Sequence, residues 1–232
     1  MSQAQLKTPK ITRRQSRPAK GRRPLVRGRK NNHSPRGVWL SPADHGRTMT
    51  LAKFDRAEGE PGYIYELNRG VIEVMNIAGI SHGLIIQAAR DQFVGYRLER
   101  DIITYISAGS DCKLLLPGVQ SERHPDVAVY LHDPPQGREQ PWDVWLPAIV
   151  VEVVSPGQAA RDYEDKRADY LAAGVLEYRI IDPQTQSMLV LQRSGDVWLE
   201  HRVKRTGTYR SHVLPGFEFN LKAVLAAGKT RS

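Results

Sequence analysis

The amino-acid sequence predicts an α/β fold, in which helices flank one mixed β-sheet. Three observations support this class. Short apolar or alternating runs typical of strands recur along the chain. Two longer segments, 81–96 and 161–173, carry apolar residues at helical spacing. The order of elements is hairpin, helix, strands, helix, strands, which favours helices packed on the faces of a sheet. With 40% hydrophobic residues in 232, the chain can bury one substantial core.

The individual elements follow from local signals. A short helix is expected at 51–54, and two strands at 63–67 and 71–75 form a hairpin with Gly70 in its turn. Ser81 is predicted to cap the first long helix, and Gly174 to end the second. The other predicted elements are strands at 102–107, 113–116, 126–130, 148–154, 177–182, 188–192 and 197–202, and a last helix near 221–227.

The N-terminal segment differs from the rest in composition. Residues 1–46 lack periodicity and contain five prolines, so they are predicted to be a disordered tail, and 47–228 to be the folded domain. Residues 1–37 hold twelve Lys or Arg and no acid, which leaves 22 basic and 25 acidic residues in the remainder. The tail is either simply solvated or a polycation that binds nucleic acid. The candidate nucleic-acid-binding residues are Arg13, Arg14, Arg22, Arg23, Arg27, Arg29 and Lys30.

Several classes of protein are excluded or gain no support. No apolar stretch approaches the roughly 20 residues that span a bilayer, and none resembles a secretory signal, so a cytoplasmic protein without a membrane partner is expected. The single cysteine, Cys112, excludes an internal disulfide framework and a cysteine-based zinc cluster. A Gly-rich phosphate loop, an HExxH helix and a GxSxG turn are all missing from the sequence.

The most informative residue is Glu152, the one charge in the apolar run 148–154. An unpaired charge in a buried strand is costly, so Glu152 needs a nearby cation. A divalent metal shared with Asp126, which opens an earlier strand, would supply one, and the backbone carbonyl of Val153 would add an oxygen ligand. Mg²⁺ fits such a site, and Mn²⁺ is the alternative.

Lys166 offers a second cation. It follows Asp162 by one helical turn and precedes Tyr170 by another, so the three share one face of the predicted helix. If this face packs toward Glu152, the ammonium could orient or deprotonate an attacking water. The alternative is an exposed i,i+4 pair of Asp162 and Lys166, worth roughly 0.3–0.5 kcal/mol.

An ordered set of motifs resembles a known family. The motifs are Pro125-Asp-Val-Ala-Val129, Val150-Val-Glu-Val-Val-Ser-Pro156, Asp162-Tyr-Glu-Asp-Lys166, Tyr170-Leu-Ala-Ala-Gly174 and Ile181-Asp-Pro183. Together they resemble the Uma2 family of restriction-endonuclease-like proteins in the PD-(D/E)xK nuclease superfamily. The resemblance covers residues 48–225 and leaves the basic tail outside.

This resemblance implies roles for particular residues. Asp126 and Glu152 would be the metal-binding acids. The superfamily pattern places its lysine two residues after the second acid, where this chain has Val154, so Lys166 would supply that lysine from the following helix. Glu66 matches an early acidic position and His82 a polar one near the site. Their alternatives are a cross-strand ion pair for Glu66 and a capping or solvated role for His82, while Asp162 and Tyr170 would support Lys166.

The expected activity is Mg²⁺-dependent hydrolysis of DNA phosphodiester bonds in a restriction-endonuclease-like core. RNA stays open as the substrate, and a homodimer is expected only because cutting both strands usually takes two sites. The alternative function is a catalytically inactive protein that binds nucleic acid through the basic tail.

Overall fold

The computed structural model describes residues 37–109, 112–157 and 159–229. The seven candidate nucleic-acid-binding residues of the tail lie outside these ranges. The strands are β1 (Trp39–Leu40), β2 (Glu58–Gly59), β3 (Tyr63–Asn68), β4 (Val71–Asn76), β5 (Tyr105–Ala108), β6 (Leu114–Leu116), β7 (Ser121–Arg123), β8 (Val127–Tyr130), β9 (Ile149–Val153), β10 (Glu177–Asp182), β11 (Ser187–Ser194), β12 (Val197–Lys204), β13 (Thr208–Arg210) and β14 (Glu218–Asn220). The α-helices are α1 (Leu51–Phe54), α2 (Ile80–Glu99), α3 (Lys166–Ala173) and α4 (Leu221–Ala227).

A six-stranded mixed sheet forms the centre of the described fold, in the order β12-β11-β10-β9-β8-β5. Only β9 and β10 are parallel, and the connection between them contains α3. All other neighbours in this sheet are antiparallel. The parallel pair needs a crossover connection, and the helix provides it. The predicted α/β class with a mixed sheet is confirmed.

The two faces of this sheet bury different side chains. Val127, Ile149 and Val151 belong to a large core that also contains residues of α2 and α4. Alternate residues point the other way, and Val150 and Val154 pack with Tyr170, Tyr178 and their neighbours. The central strands are apolar on both faces because both faces are covered. Glu152 shares the second face, since it alternates with Val151 and Val153.

A smaller, four-stranded sheet has the order β4-β3-β7-β6. Its β3–β4 hairpin agrees with the prediction, and its two-residue turn contains Arg69 (φ 49°) and Gly70 (φ 81°). Two successive residues with positive φ give the turn a twist that suits a hairpin, and glycine adopts this conformation without strain. This sheet contributes Glu66 and Arg123 to the region described below.

Two predicted boundaries are wrong. The tail was predicted to extend to residue 46, but β1 pairs with β2, and Leu40 is buried against Leu51 and Phe54. The sequence pattern does not reveal β1, because a strand of two residues is too short to show alternation. The long helix begins at Ile80 after an N-cap at Gly79, so Ser81 lies inside the helix and is not its cap.

Candidate active site

The sheet register brings the two predicted metal-binding acids together. In the antiparallel pair of β8 and β9, Val127 lies opposite Val151. Continuing this register by one residue places Asp126 opposite Glu152, on the face that is shared with α3. Directly opposed residues of antiparallel strands have Cβ atoms roughly 4.5–5.5 Å apart. The backbone N–H of Val153 donates a hydrogen bond to Asp126 Oδ2 at 2.7 Å, which fixes this carboxylate beside β9.

Glu152 has the cation that its burial demands. Lys166 Nζ lies 2.8 Å from Glu152 Oε1 and 3.3 Å from Asp162 Oδ1. The Tyr170 hydroxyl donates to the same Glu152 oxygen at 2.7 Å. The three predicted residues of the helix therefore surround the predicted strand acid. Lys166 is only 1% exposed, which excludes the alternative of a solvated i,i+4 pair.

The local backbone explains how one helix presents these side chains. A π-helical turn at Arg161–Asp165 precedes α3, and the left-handed Gly174 (φ 100°) ends it. The carbonyl of Asp162 accepts a hydrogen bond from the Tyr178 hydroxyl at 2.9 Å, which ties the π turn to β10. Val154, at the position where the superfamily pattern has lysine, is buried in the core under α3. A lysine there would have to place its charge among apolar side chains.

Glu66 joins this cluster through a second set of cations. Its carboxylate lies 3.8 Å from Lys166 Nζ and 3.3 Å from Arg123 Nη1, and it accepts a hydrogen bond from the backbone N–H of His124 at 3.1 Å. Its direct cross-strand neighbour on β4 is another acid, Glu73, so the ion pair forms with β7 on its other side. Glu66 thus both makes an ion pair and contacts the candidate catalytic lysine.

The acids of this cluster differ in pKa. Burial, helped by repulsion from the nearby carboxylates of Asp126, Asp162 and Glu66, raises the pKa of Glu152 to about 8 despite the attraction of Lys166. Burial also favours the neutral form of Glu66, but Lys166 and neighbouring arginines outweigh it and lower the pKa to about 2. The three acids around Lys166 raise the pKa of its ammonium despite burial, so Lys166 is charged at neutral pH.

The cluster forms the floor of a cleft of about 760 Å³. Asp126, Glu152, Val153 and Lys166 line it together with His82 from the start of α2. His82 Nε2 lies 3.7 Å from Asp126 Oδ2, so this residue faces the acid and is not the solvated residue of the alternative interpretation. Of the site residues that the sequence predicts in the folded region, Tyr170 alone does not line the cleft; it is fully buried and contacts Glu152 instead.

The chemistry of the donors fits a hard divalent cation. Asp126 and Glu152 offer carboxylate oxygens on adjacent strands, and Mg²⁺ is commonly held by one or two carboxylates with water in its other positions. Within the described ranges, no group of three or more His, Cys, Asp or Glu side chains is arranged to hold an ion. Asp126 and Glu152 would supply two oxygen ligands of such an ion, and water would supply others.

Two arginines near the cluster were not predicted from the sequence. Arg123 is fully buried and binds Asp169 Oδ2 at 2.7 Å as well as Glu66. Arg161 lines the cleft, with Nη1 3.7 Å from Glu73 and 4.0 Å from Glu66. Arg123 lies in a three-residue strand of polar residues, where no hydrophobic pattern marks a buried position. The position of Arg161 directly before Asp162 was the available signal.

The comparison with protein families agrees with this geometry. A family model named Uma2 and described as "Putative restriction endonuclease" matches residues 51–222, about three quarters of the chain. The chain belongs to the Uma2 family. The match includes Glu66, Asp126, Glu152 and Lys166, so the whole candidate site lies in the family region. No curated protein sequence matches the chain.

A solved structure shares the fold of this Uma2 protein. It is described as "a putative nuclease belonging to DUF820" from Anabaena variabilis ATCC 29413, with a TM-score of 0.64 and 14% sequence identity. The superposition covers 78% of this chain and 99% of the other. The predicted nuclease-like core is confirmed at the level of family and fold. Among the described residues, no helix has both the length and the apolar character needed to cross a membrane.

Proposed function

We propose that this Uma2 protein is an Mg²⁺-dependent endonuclease that hydrolyses phosphodiester bonds of DNA. The observation that carries the proposal is the convergence of Asp126, Glu152 and Lys166 on the floor of one open cleft. The description of the family and that of the solved neighbour support a nuclease.

The acid excess of the cluster supports a metal. Glu152, Asp162 and Glu66 all lie within 4 Å of the one ammonium of Lys166, and Asp126 is adjacent. One ammonium does not balance these buried acids, so burial and the neighbouring carboxylates raise the pKa of Glu152 although Lys166 lies beside it. A divalent cation at Asp126 and Glu152, with the Val153 carbonyl as a further oxygen ligand, would remove this imbalance.

The residues of the chain then have distinct tasks. When bound, a divalent cation compensates the charge of the phosphate and promotes formation of a nucleophilic water. Lys166 is held in position by Glu152, Asp162 and Glu66, so its ammonium can orient the attacking water and stabilise the developing negative charge. Water gives up a proton to solvent as it attacks phosphorus, the P–O bond to the leaving strand breaks, and the leaving oxygen takes a proton from solvent. Tyr170 holds Glu152, and His82 faces Asp126.

The direct test is cleavage of supercoiled plasmid by purified protein with Mg²⁺ or Mn²⁺. Nicking that depends on the metal, and that is lost in Glu152→Gln and Asp126→Asn, supports the proposal. The matched control is Glu218→Gln, which removes a half-exposed glutamate on β14 that pairs with Arg210 and does not line the cleft. Equal nicking by Glu152→Gln and the unmodified protein would contradict the assignment.

The same samples test the alternative, a protein that binds nucleic acid without cutting it. The twelve basic residues of 1–37 favour salt-sensitive binding. If calorimetry detects no Mg²⁺ binding, and deletion of residues 1–37 abolishes DNA binding, the alternative is correct. Magnesium binding that Asp126→Ala removes supports the enzyme.

A further inference from the structure

We propose that the cleft accepts an unpaired nucleotide, so that the substrate is single-stranded or locally unpaired DNA rather than a continuous duplex. This inference rests on the proposed function, because it concerns the substrate of the same site. It follows from three features: an apolar wall beside the acids, the charge of the folded region, and the position of Arg161.

The first feature is the apolar wall on one side of the cleft. Ile64 of β3 and its cross-strand neighbour Met75 of β4, together with Ile77 and Ile86 beside and within α2, line it. Ile64 and Ile77 are 38% and 62% exposed, although burial of large apolar side chains is favourable. A cleft of roughly 300–1,000 Å³ holds a ligand the size of a nucleotide. The wall has the chemistry to cover the face of a base.

The second feature is the charge of the folded region. Beyond residue 37 the chain has 22 basic and 25 acidic residues, so this region has no excess of cations for binding that relies on phosphate contacts alone. In a duplex the bases are stacked inside, and a protein contacts mainly phosphates and groove edges. An apolar wall would gain little from such a substrate. An unpaired base, by contrast, exposes an apolar face that the wall can cover.

The third feature is Arg161, which lies between the acids and the wall. Its side chain lines the cleft together with Met75, while its contacts to Glu66 and Glu73 are long, at 4.0 and 3.7 Å. Its Nη1 also contacts Met75 Sδ, so the guanidinium lies in the cleft beside the wall. At this place Arg161 can bind a phosphate oxygen of a strand whose base lies on the wall. The phosphate next to that base would then face Asp126 and Glu152.

The test uses the full chain with Mg²⁺ or Mn²⁺ and three labelled DNA substrates of one sequence: a single strand, a perfect duplex, and a duplex with one unpaired nucleotide. We expect cutting of the single strand and at the unpaired nucleotide, and roughly tenfold slower cutting of the perfect duplex. A single strand with one abasic residue separates the effect of the base in the cleft from phosphate binding by the basic tail. The tail could bind the phosphates of this strand whether or not the base is present. Cutting next to the abasic residue should fall, while cutting elsewhere on the same strand continues.

A matched pair of variants tests the wall itself. Ile77→Ala truncates a wall residue, whereas Ile80→Ala truncates an even more exposed isoleucine (78%) that does not line the cleft. Because both side chains are exposed, both variants should keep the melting temperature of the unmodified protein. Ile77→Ala should slow single-strand cutting about fivefold, and Ile80→Ala should not change it.

The possible failures are distinguishable. Equal or faster cutting of the perfect duplex, or unchanged cutting beside the abasic residue, overturns the unpaired-nucleotide inference and leaves the proposed hydrolysis intact. Absence of metal-dependent cutting of all three substrates overturns both the inference and the proposed function.

Discussion

The central sheet buries a glutamate beside a cation on each of its faces, and the two arrangements differ in charge balance. On the α2 face, Glu177 pairs with Arg179, whose Nε donates to it at 2.6 Å. The hydroxyls of Tyr209 and Ser211 also donate to Glu177, at 2.9 and 3.2 Å. Four aromatic rings lie 4.9–5.4 Å from the guanidinium, from Phe93, Tyr209, Phe217 and Phe219. One anion and one cation are enclosed together.

On the α3 face, Lys166 contacts three carboxylates, those of Glu152, Asp162 and Glu66, and the cluster opens to a cleft. A closed and balanced ion pair is suited to holding a fold together, since loss of either partner leaves a buried charge. An open cluster with surplus acid has capacity for a further cation. The comparison therefore separates a structural pair from a candidate catalytic one on the same sheet.

The largest expected effect concerns the closed pair. Glu177→Ala leaves the buried guanidinium of Arg179 without its anion, so the free energy of unfolding should fall by about 3–5 kcal/mol. Urea denaturation measures this loss. The nicking activity of whatever fraction remains folded should be unchanged. A loss under about 1 kcal/mol would show that the aromatic rings alone accommodate the guanidinium.

The second prediction is a loss of activity without a loss of stability, the opposite of the Glu177→Ala result. Glu152→Gln removes one acid from the crowded cluster while keeping its shape, so cleavage should fall at least about hundredfold, or about 2.7 kcal/mol in transition-state stabilisation. The free energy of unfolding in metal-free buffer at neutral pH should not decrease. Initial rates of plasmid nicking measure the change in cleavage, and urea denaturation measures the free energy of unfolding. If stability falls as it does in Glu177→Ala, the cluster is structural.

A third prediction uses the pKa of Glu152. Folded, this group keeps its proton up to about pH 8, whereas its ordinary pKa is 4.5. Between these values the folded state binds more protons than the unfolded state, so stability falls as pH rises through this window. Glutamine cannot ionise. The stability advantage of Glu152→Gln should therefore grow, by on the order of 2 kcal/mol, from about pH 5 to about pH 8. Urea denaturation in EDTA at both pH values measures it, and a constant difference would contradict the raised pKa.

The smallest effect comes from a pair of tyrosines with equivalent contacts. Tyr170 donates to Glu152 and Tyr209 to Glu177. Replacing either tyrosine by phenylalanine removes one buried hydrogen bond, worth about 1–1.5 kcal/mol of unfolding free energy. Only Tyr170→Phe should also slow cleavage, by a few-fold, because it frees the candidate metal-binding carboxylate. Slower cleavage by Tyr209→Phe would remove the distinction between the two faces.

The sequence predicted the parts of the fold that have strong periodicity. Strand β10 and helix α4 have the predicted bounds, and the β3–β4 hairpin differs by one residue at its ends. The lone acid of β9 correctly predicted a nearby cation, because the cost of a buried charge is local and general. Helical spacing placed Lys166 on one face of the predicted helix with Asp162 and Tyr170. Because α3 packs on the sheet with this face, Lys166 is the cation beside Glu152.

The parts of the fold and of the candidate site that the sequence did not predict depend on tertiary contacts, which leave no local pattern in the sequence. Arg123 is buried only because Glu66 and Asn68 of β3 and Asp169 of α3 surround it. Strands β13 and β14 have three residues each, too few for alternation to be visible. The sequence did not predict the start of α2 at Ile80, because its N-cap, Gly79, has no side chain that marks it as a capping residue. The predicted roles of the site residues, the metal and the homodimer stay predictions.

The displaced lysine has a consequence for the timing of activity. In a chain with the lysine on the same strand as the acid, a single folded hairpin would already unite them. Here the acids lie on β8 and β9, while Lys166 comes from a helix that must first dock on the finished sheet. A nascent or partly unfolded chain therefore has no assembled centre. If the proposed hydrolysis is correct, it would begin only once α3 has docked on the completed sheet.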